Sequence, residues 1–415
     1  MSSKQNEKKG LLPLPTTERF DDEADEEEDM LDANAAVPVP DNRQFLFQAT
    51  LLLVGTVVVC VVINLYMSVS GIAIDPTKST HNPTQAPTKK TTVLVFENEV
   101  VTLGPYQEVT AIDLRFRGLK GPIPTEIGLY EHLAYLTLAN NQLTGPIPSE
   151  IGMLQQLNDL RLDSNQLLGS IPTEIKMLQQ LTKLALNSNL LSGPIPSEIG
   201  MLQRLSSMYI FDNQLSGTIP SEIGMVQQLT YLFLNSNQLS VPIPTEIGML
   251  LHLTNLDLYN NKLSGTIPSE IGMLQRLSSM YLFDNQLSGT IPSEIGRLQQ
   301  LSYLFLYSNQ LSGPIPTEIG MLRHLLTNLD LYNNTFSGTI PSEIGMLQQL
   351  SRMYLFDNQF SGTIPSEIGR LHQLYSLVLY NNSFVGTIPN EICAIPRGYS
   401  PDNTRRVDIE IDCLE

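Results

Sequence analysis

The chain has 415 residues, of which 42% are hydrophobic, so it can form either several average domains or one elongated repeat array. Its formal net charge of −18 argues against a nucleic-acid-binding protein, because phosphate binding depends on lysine and arginine. The cysteines are Cys60, Cys393 and Cys413, a spacing that fits neither a zinc site nor a small disulfide scaffold.

The N-terminal segment is strongly acidic. Residues 1–43 carry a dense run of acidic side chains between Asp21 and Asp29 and few aromatic residues. Such a composition cannot bury enough apolar surface to fold. Residues 1–43 are therefore predicted to be a disordered acidic tail on the cytosolic side of a membrane.

A long uncharged segment follows this tail. The 23 residues from Phe45 to Met67 contain no charged side chain, and as a helix they would reach about 34 Å, enough to cross a hydrocarbon core of about 30 Å. A buried core helix and a cleaved signal peptide are the alternatives, but the segment is long for either and begins far from the N-terminus. We predict a transmembrane signal-anchor helix over 44–68 that contacts membrane lipid.

The orientation of this helix rests on opposing signals. Residues 69–92 are rich in Thr and Pro, a composition typical of a glycosylated stalk. Three lysines in this stalk outnumber Arg43 on the other side, and flanking charge alone would place the C-terminal side in the cytosol. The stalk, the two C-terminal cysteines and the glycosylation sequons at Asn333 and Asn381 favour the opposite orientation. We predict a single-pass protein of the plasma membrane or an endomembrane, with its C-terminal repeats outside the cytosol.

A repeated pattern dominates the rest of the chain. From residue 111 to residue 392 the motif LxxLxLxxNxLxGxIPxEIGxL occurs in twelve copies, the first of them degenerate. Successive asparagines are 24 residues apart except between Asn309 and Asn334, where an extra leucine at 325–326 makes the gap 25 residues. The LxL pair faces inward from a short strand, and the asparagine can hydrogen-bond backbone groups in the following turn. Since no single repeat can bury its apolar face, the pattern predicts a stacked solenoid.

The GxIP segment makes the repeats resemble the plant-type leucine-rich-repeat family of receptor-like proteins, which also occurs in algal membrane proteins. The resemblance covers residues 111–392 and implies an α/β leucine-rich-repeat solenoid, curved, with a parallel β-sheet on its concave face. It also implies that this sheet recognises a peptide, a hormone or another protein. The cysteine-containing N-terminal cap of plant members is missing, so residues 93–110 are expected to cover the first repeat. We expect no kinase domain, so signalling would need a co-receptor.

One glutamate recurs in every repeat, and a serine or threonine precedes it in every copy through Glu367. A metal-binding or acidic docking rail is one interpretation of this row. We predict instead that each Ser/Thr–Glu pair caps the start of a short helical turn on the convex side, where the helix dipole favours an acidic residue.

The chain ends in a segment that departs from the repeat pattern. Residues 393–415 are expected to form a C-terminal cap, in which VDIEI alternates like a strand. A disulfide between Cys393 and Cys413 would contribute about 3 kcal/mol by reducing the entropy of the unfolded chain. Two free thiols are the alternative.

The residues that flank the inward leucines become strongly aromatic from the fifth repeat on, with acidic residues alongside. An exposed aromatic strip usually marks an interaction surface, and eleven strand spacings of about 4.8 Å give a face about 53 Å long. The alternative is that the rings pack laterally between strands and owe their regularity to a duplicated block of three repeats. We predict that the concave face binds the ligand through Tyr209, Phe211, Asp212, Tyr231, Phe233, Asp257, Tyr259, Tyr281, Phe283, Asp284, Tyr303, Phe305, Tyr307, Asp330, Tyr332, Tyr354, Phe356, Asp357 and Tyr380.

Nothing in the sequence indicates an enzyme. Four of the five histidines lie in separate repeats and His81 lies in the stalk, and no HExxH, CxxC, P-loop or GxSxG motif is present. We therefore predict no catalytic activity, no metal and no cofactor. The predicted function is a receptor-like or adhesion protein that binds an extracellular peptide, protein or glycan. A structural surface scaffold and an inhibitor of secreted hydrolases are the alternatives.

Overall fold

The computed structural model describes residues 92–393 and 408–410, all within one compact unit, Ala86–Glu415. The predicted tail at 1–43, the predicted membrane helix at 44–68 and residues 69–91 of the predicted stalk lie outside the described residues. Cys413 lies outside them as well, so the disulfide stays a prediction. Among the described residues, no helix is both long and apolar enough to cross a bilayer.

Each repeat begins with a three-residue strand centred on the first apolar residue of the LxL motif. Because all repeats but one have the same length, each strand returns beside the previous one in the same direction, and Met208 pairs with Leu232 in parallel register. The result is a 13-stranded parallel sheet, whose last strand comes from beyond the repeats. Its strands are Ala111–Asp113, Tyr135–Thr137, Asp159–Arg161, Lys183–Ala185, Ser207–Tyr209, Tyr231–Phe233, Asn255–Asp257, Ser279–Tyr281, Tyr303–Phe305, Asn328–Asp330, Arg352–Tyr354, Ser376–Val378 and Asp408–Glu410.

A second parallel sheet follows the asparagine turn, and the sequence analysis did not anticipate it. The Leu-Ser-Gly part of each repeat is extended and pairs with the next repeat, as Ser216 does with Gln238. Gly217 ends its strand at a φ of 79°, a left-handed conformation that glycine adopts without strain. This ten-stranded sheet contains Leu168–Gly169, Leu190–Gly193, Gln214–Gly217, Gln238–Val241, Lys262–Gly265, Gln286–Gly289, Gln310–Gly313, Thr335–Gly338, Gln359–Gly362 and Ser383–Phe384. A separate pair precedes it, formed by Lys120–Gly121 and Gln142–Leu143.

The chain returns to the next strand through a five-residue 3₁₀ helix. In the described repeats these helices are Thr125–Leu129, Ser149–Met153, Thr173–Met177, Ser197–Met201, Ser221–Met225, Thr245–Met249, Ser269–Met273, Ser293–Arg297, Thr317–Met321, Ser342–Met346 and Ser366–Arg370. A four-residue α-helix, Asn390–Cys393, takes this place in the last repeat.

The predicted short helical turns are confirmed, but the predicted capping by serine or threonine is wrong. Proline holds the N-cap position, and no side-chain hydrogen bond caps any of the eleven 3₁₀ helices in the described repeats. The hydroxyl group of Ser221 instead donates to Glu222, with Oγ and Oε2 3.2 Å apart. Proline already supplies the extended backbone that precedes a helix, so the hydroxyl is not needed there. Glutamate still lies in the first turn, where the dipole favours it.

The interior is one continuous apolar core crossed by a ladder of asparagine side chains. Leu232, Leu234 and Ile247 are fully buried, as are their counterparts along the array. The amide group of Asn237 donates to the carbonyl oxygens of Ile210, Leu234 and Asn235, at 3.1–3.2 Å. Its Oδ1 accepts from the backbone N–H of Leu215 at 3.0 Å. Each asparagine thus satisfies buried backbone groups of two neighbouring repeats.

An antiparallel hairpin precedes the first repeat. It consists of Thr92–Val95 and Val100–Leu103, paired with Val95 opposite Val100. Leu94, Phe96 and Val101 are buried in the same apolar core as the repeats. The hairpin therefore covers apolar surface that stacking leaves exposed at the first repeat.

Candidate ligand-binding face

The predicted binding residues lie mostly in three rows along the outer surface of the 13-stranded sheet. The middle row is the third residue of successive strands, Tyr209, Phe233, Asp257, Tyr281, Phe305, Asp330 and Tyr354. The aromatic ladder lies two residues further along each repeat and comprises Tyr259, Phe283, Tyr307, Tyr332, Phe356 and Tyr380. The polar row follows directly and includes Asp212, Ser236, Asn260, Asp284, Ser308, Asn333, Asp357 and Asn381.

Three predicted aromatic residues fall outside these rows. Tyr231 and Tyr303 are the first residues of their strands. Phe211 occupies a position equivalent to the aromatic ladder, but Asn235 separates it from Tyr259. The aromatic ladder is therefore continuous only from the seventh repeat onward.

The rings of the aromatic ladder stack face to face along the array. Their centroids are 4.3, 4.3, 4.4, 4.4 and 4.8 Å apart in succession, with the first four pairs within 14° of parallel. Burial and the neighbouring Tyr332 raise the pKa of Tyr307 above its usual value. Burial raises the pKa of Tyr259 to about 12, and the nearby charges of Asp257 and Asp212 add to this. Since the ring faces cover one another, the ladder offers mainly ring edges to a ligand.

The middle row is less regular because two aspartates interrupt its rings. Tyr209 meets Phe233 edge to face at 5.2 Å, and Tyr281 stacks on Phe305 at 4.9 Å. Asp257 follows the first pair and Asp330 follows the second, each paired in register with an aromatic residue on both neighbouring strands. The same aromatic–acid sequence therefore occurs twice along the sheet.

Asp330 is neutralised within the chain. Its carboxylate accepts from Arg352 on the next strand, with Nη2 2.7 Å from Oδ2 and Nε 3.3 Å from Oδ1. The Arg352 guanidinium also lies 5.3 Å from the ring centre of Phe305 and 5.1 Å from that of Tyr354. Burial raises the pKa of Asp330 to about 6, and the charge of Arg352 opposes this rise.

Asp257 has no such partner within the described residues. Its Oδ1 is buried, and no described donor reaches it. Burial raises the pKa of Asp257 to about 8, with no opposing positive charge. The residue as a whole retains some exposure, whereas Asp330 is 2% exposed. Two aspartates that look equivalent in sequence therefore differ in their electrostatic environment.

The polar row is shaped by its backbone. Asp212, Asp284 and Asp357 have φ values of 52–54°, the left-handed region that short polar residues tolerate best. The sequons Asn333 and Asn381 share this conformation and are exposed. Their amide groups donate to Ser308 Oγ at 3.1 Å and Asp357 Oδ1 at 2.7 Å. The conformation of the turn alone accounts for these residue types.

Several residues on the same face were not anticipated from the sequence. Arg161 pairs with Asp159 at 3.0 Å and lies 5.8 Å from the ring centre of Tyr135, while Lys183 lies 5.1 Å from that of Tyr209. Aligning the strand positions of all repeats would have revealed them, because this alignment places Arg161, Lys183 and Arg352 on strands of the same sheet. Among the described residues, no group of His, Cys, Asp and Glu could hold a metal ion.

A second unanticipated surface lies at the ends of the 3₁₀ helices. It is a row of methionines that are 42–50% exposed, comprising Met153, Met177, Met201, Met225, Met249, Met273, Met321 and Met346. In the sequence these methionines end the EIGM segment of seven repeats and the EIKM segment of residues 174–177.

Comparison with protein families finds the leucine-rich repeat in eight segments. They are residues 132–154, 228–250, 252–274, 276–298, 300–322, 325–347, 349–371 and 373–395. No curated protein matches the sequence.

Among solved structures, two similar ones contain the Arabidopsis receptor kinase HAESA. One is its complex with the peptide hormone IDA and the co-receptor SERK1, with 32% identity, 70% of this chain and 53% of that chain covered, and a TM-score of 0.58. The other is its ectodomain with an N-terminally extended IDA peptide, with 31% identity, 69% and 52% covered, and the same TM-score of 0.58. This chain thus spans about half the length of those chains. A leucine-rich-repeat protein of Leptospira interrogans is 33% identical, with 66% and 78% covered and a TM-score of 0.47.

Proposed function

This chain belongs to the leucine-rich-repeat family, in its plant-type form, and we propose that its repeat domain binds an extended peptide or a protein segment along the outer surface of the 13-stranded sheet. The observation that carries the proposal is the middle row, where aromatic rings alternate with buried carboxylates. Large rings supply contact area at low entropic cost, and buried carboxylates supply specificity. The peptide hormone bound to HAESA supports a peptide as the ligand class.

A peptide fits this face better than a glycan does. A sugar ring binds an aromatic side chain by stacking on its face, and the aromatic ladder has its faces covered at spacings of 4.3–4.8 Å. An extended peptide instead presents hydrogen-bonding groups and side chains at intervals of about 3.3 Å, which can contact ring edges and carboxylates in turn.

We further propose that the protein is a single-pass membrane protein with the repeats outside the cytosol, anchored in lipid by residues 44–68. The exposed sequons at Asn333 and Asn381 and the Cys393–Cys413 pair support this, since both modifications belong to the secretory pathway. Mobility after glycosidase treatment tests the orientation. A shift lost in the Asn333→Gln/Asn381→Gln variant supports it, and digestion of the repeats by protease added to the cytosolic side would refute it.

A binding experiment tests the peptide proposal. The full-length chain is immobilised and panned against a random-peptide library, in parallel with a Tyr231→Ser/Tyr303→Ser variant. Both tyrosines are partly exposed and lie outside the stacked ladder, so the variant should fold. We expect peptides enriched on the unmodified chain to lose at least tenfold in affinity on this variant, which corresponds to about 1.4 kcal/mol. A Met153→Ser/Met177→Ser variant is the matched control and should bind equally well.

The stacked ladder favours one alternative, a structural surface protein. Rings that cover one another stabilise the sheet without any ligand, as a rigid spacer would require. If no peptide is enriched on either chain, and the Tyr231→Ser/Tyr303→Ser variant is as stable as the unmodified chain, the scaffold function replaces the binding function.

A further inference from the structure

Two segments of this face are almost identical in sequence but differ at one outward position. Residues 277–285 read LSSMYLFDN and residues 350–358 read LSRMYLFDN, so the only difference is Ser279 against Arg352. Each follows a segment that reads TNLDLYNN and contains the buried aspartate of the middle row, Asp257 or Asp330. The chain thus contains two nearly identical segments, one with an arginine at this position and one with a serine.

The later copy shows how this local structure holds a guanidinium group. Arg352 donates two hydrogen bonds to Asp330, and its guanidinium carbon lies 5.3 Å from the ring centre of Phe305 and 5.1 Å from that of Tyr354. A planar cation is therefore held by one carboxylate and two aromatic rings, an arrangement that suits arginine better than lysine.

The earlier copy presents the same three groups. Phe233 and Tyr281 are the register neighbours of Asp257, as Phe305 and Tyr354 are of Asp330. Ser279 stands where Arg352 would stand and is too short to reach the carboxylate. Asp257 Oδ1 accordingly has no described donor, and the aspartate remains more exposed than Asp330.

We propose that Asp257, Phe233 and Tyr281 form a subsite for an arginine side chain of the bound peptide or protein, which takes the position that Arg352 takes in the later copy. The subsite rests on the proposed function, and it specifies the ligand chemistry. Binding of a guanidinium group from the ligand would release the proton that burial retains on Asp257 and complete the hydrogen bonds of the resulting carboxylate, and a neutral side chain would leave them unmade. The carboxyl group of Asp257 is buried with no positive charge nearby among the described residues, and this burial raises its pKa to about 8. A positively charged group from the ligand would supply the missing partner.

The test uses N-acetyl-arginine amide as the probe, with the neutral isostere N-acetyl-citrulline amide and N-acetyl-lysine amide beside it. Binding to the full-length chain is followed by titration calorimetry and by the unfolding midpoint. We expect saturable binding of the arginine probe at one site, and at least tenfold weaker binding of citrulline. Asp257→Asn should weaken arginine binding at least tenfold. Equal binding of citrulline, or unchanged binding to Asp257→Asn, would overturn the proposal.

Two exchanged variants use the duplication itself as the control. Ser279→Arg should fill the subsite from within the chain, abolish probe binding and raise the unfolding midpoint. Arg352→Ser should expose Asp330 and raise the stoichiometry from one probe to two. If Ser279→Arg does not fold, Arg352→Ser still tests the proposal. If this variant binds only one arginine probe, Asp330 without its arginine does not form a site like that of Asp257, and the proposal is contradicted.

The result is separable from that of the peptide proposal. Library peptides enriched without arginine, with unchanged affinity for Asp257→Asn, would refute the subsite and leave the peptide-binding face intact. Arginine-probe binding that depends on Asp257, with no library peptide enriched, would support the subsite and refute the peptide-binding face.

Discussion

The buried carboxyl group of Asp257 should make the stability of the repeat domain depend on pH, and replacing it with asparagine should remove that dependence. Burial raises the pKa of Asp257 from 3.8 to about 8, so the folded chain holds this proton far more tightly than the unfolded chain does. Below pH 4 the group is protonated in both states and costs no stability. Between pH 4 and 8 only the unfolded chain releases the proton, and stability falls until the folded-state pKa is passed.

The size of this effect follows from the two pKa values. At 1.36 kcal/mol per pH unit, the difference between 3.8 and about 8 gives an upper limit of about 6 kcal/mol. Asp257 is partly exposed, so water offsets part of the cost of charging it. We expect Asp257→Asn to be more stable than the unmodified chain by about 2–4 kcal/mol at pH 9 and equally stable at pH 4.

Urea unfolding of the full-length chain, followed by circular dichroism between pH 4 and 9, measures this difference. Asp330→Asn is the matched control and should act in the opposite direction, because it leaves the Arg352 guanidinium without its partner at a cost of about 3–5 kcal/mol. If the difference in stability between Asp257→Asn and the unmodified chain is constant over this pH range, the carboxylate is ionised and solvated in the folded state. The electrostatic argument for the middle row would then be refuted.

Three further substitutions test the packing of the repeats by urea unfolding. Asn237→Ala removes four hydrogen bonds of a buried side chain and should destabilise the domain by about 2–4 kcal/mol, whereas the exposed neighbour Gln238→Ala should have almost no effect. Gly248→Ala should cost about 1–3 kcal/mol, because its Cβ would lie 2.5 Å from the backbone oxygen of Glu270. Tyr332→Leu should cost about 1–2 kcal/mol through two lost ring contacts and should weaken the near-ultraviolet dichroism; an unchanged spectrum would contradict stacking in solution.

The repeat length and the leucine spacing were sufficient to predict the solenoid and the larger sheet. They predict these because a fixed period leaves only one way to stack the inward leucines in register. Even the irregular repeat follows the rule: Leu326 is fully buried and Leu325 is 39% exposed, so the extra residue is absorbed in the turn before the strand at Asn328–Asp330. The second sheet was missed because the Leu-Ser-Gly segment is too short to show the apolar–polar alternation of a strand. Its strands are also recognisable only through their pairing with the neighbouring repeat.

The binding face was only partly predictable. Sequence position correctly placed the aromatic residues on the outer surface of the larger sheet, but it could not distinguish the stacked ladder from the middle row. It also treated Asp212 and Asp257 as one kind of residue. Asp212 is exposed, with a φ of 54° that its turn requires, whereas Asp257 is a partly exposed strand residue whose Oδ1 atom is buried. That distinction depends on backbone conformation and on the neighbouring strands.

The regularity of the array makes its departures chemically informative. Every repeat supplies the same backbone, so an outward residue can change without altering the fold, and the change is confined to one patch of surface. Arg352 is such a departure: it neutralises one of two equivalent carboxylates at 2.7 Å, while the serine at the matching position leaves the other to burial alone. A ligand aligned with the sheet would therefore meet one carboxyl group without a described positive partner and one already paired with arginine, three strands or about 14 Å apart. If the proposed subsite binds arginine, a peptide with arginine near one end would be positioned at Asp257 and not at Asp330.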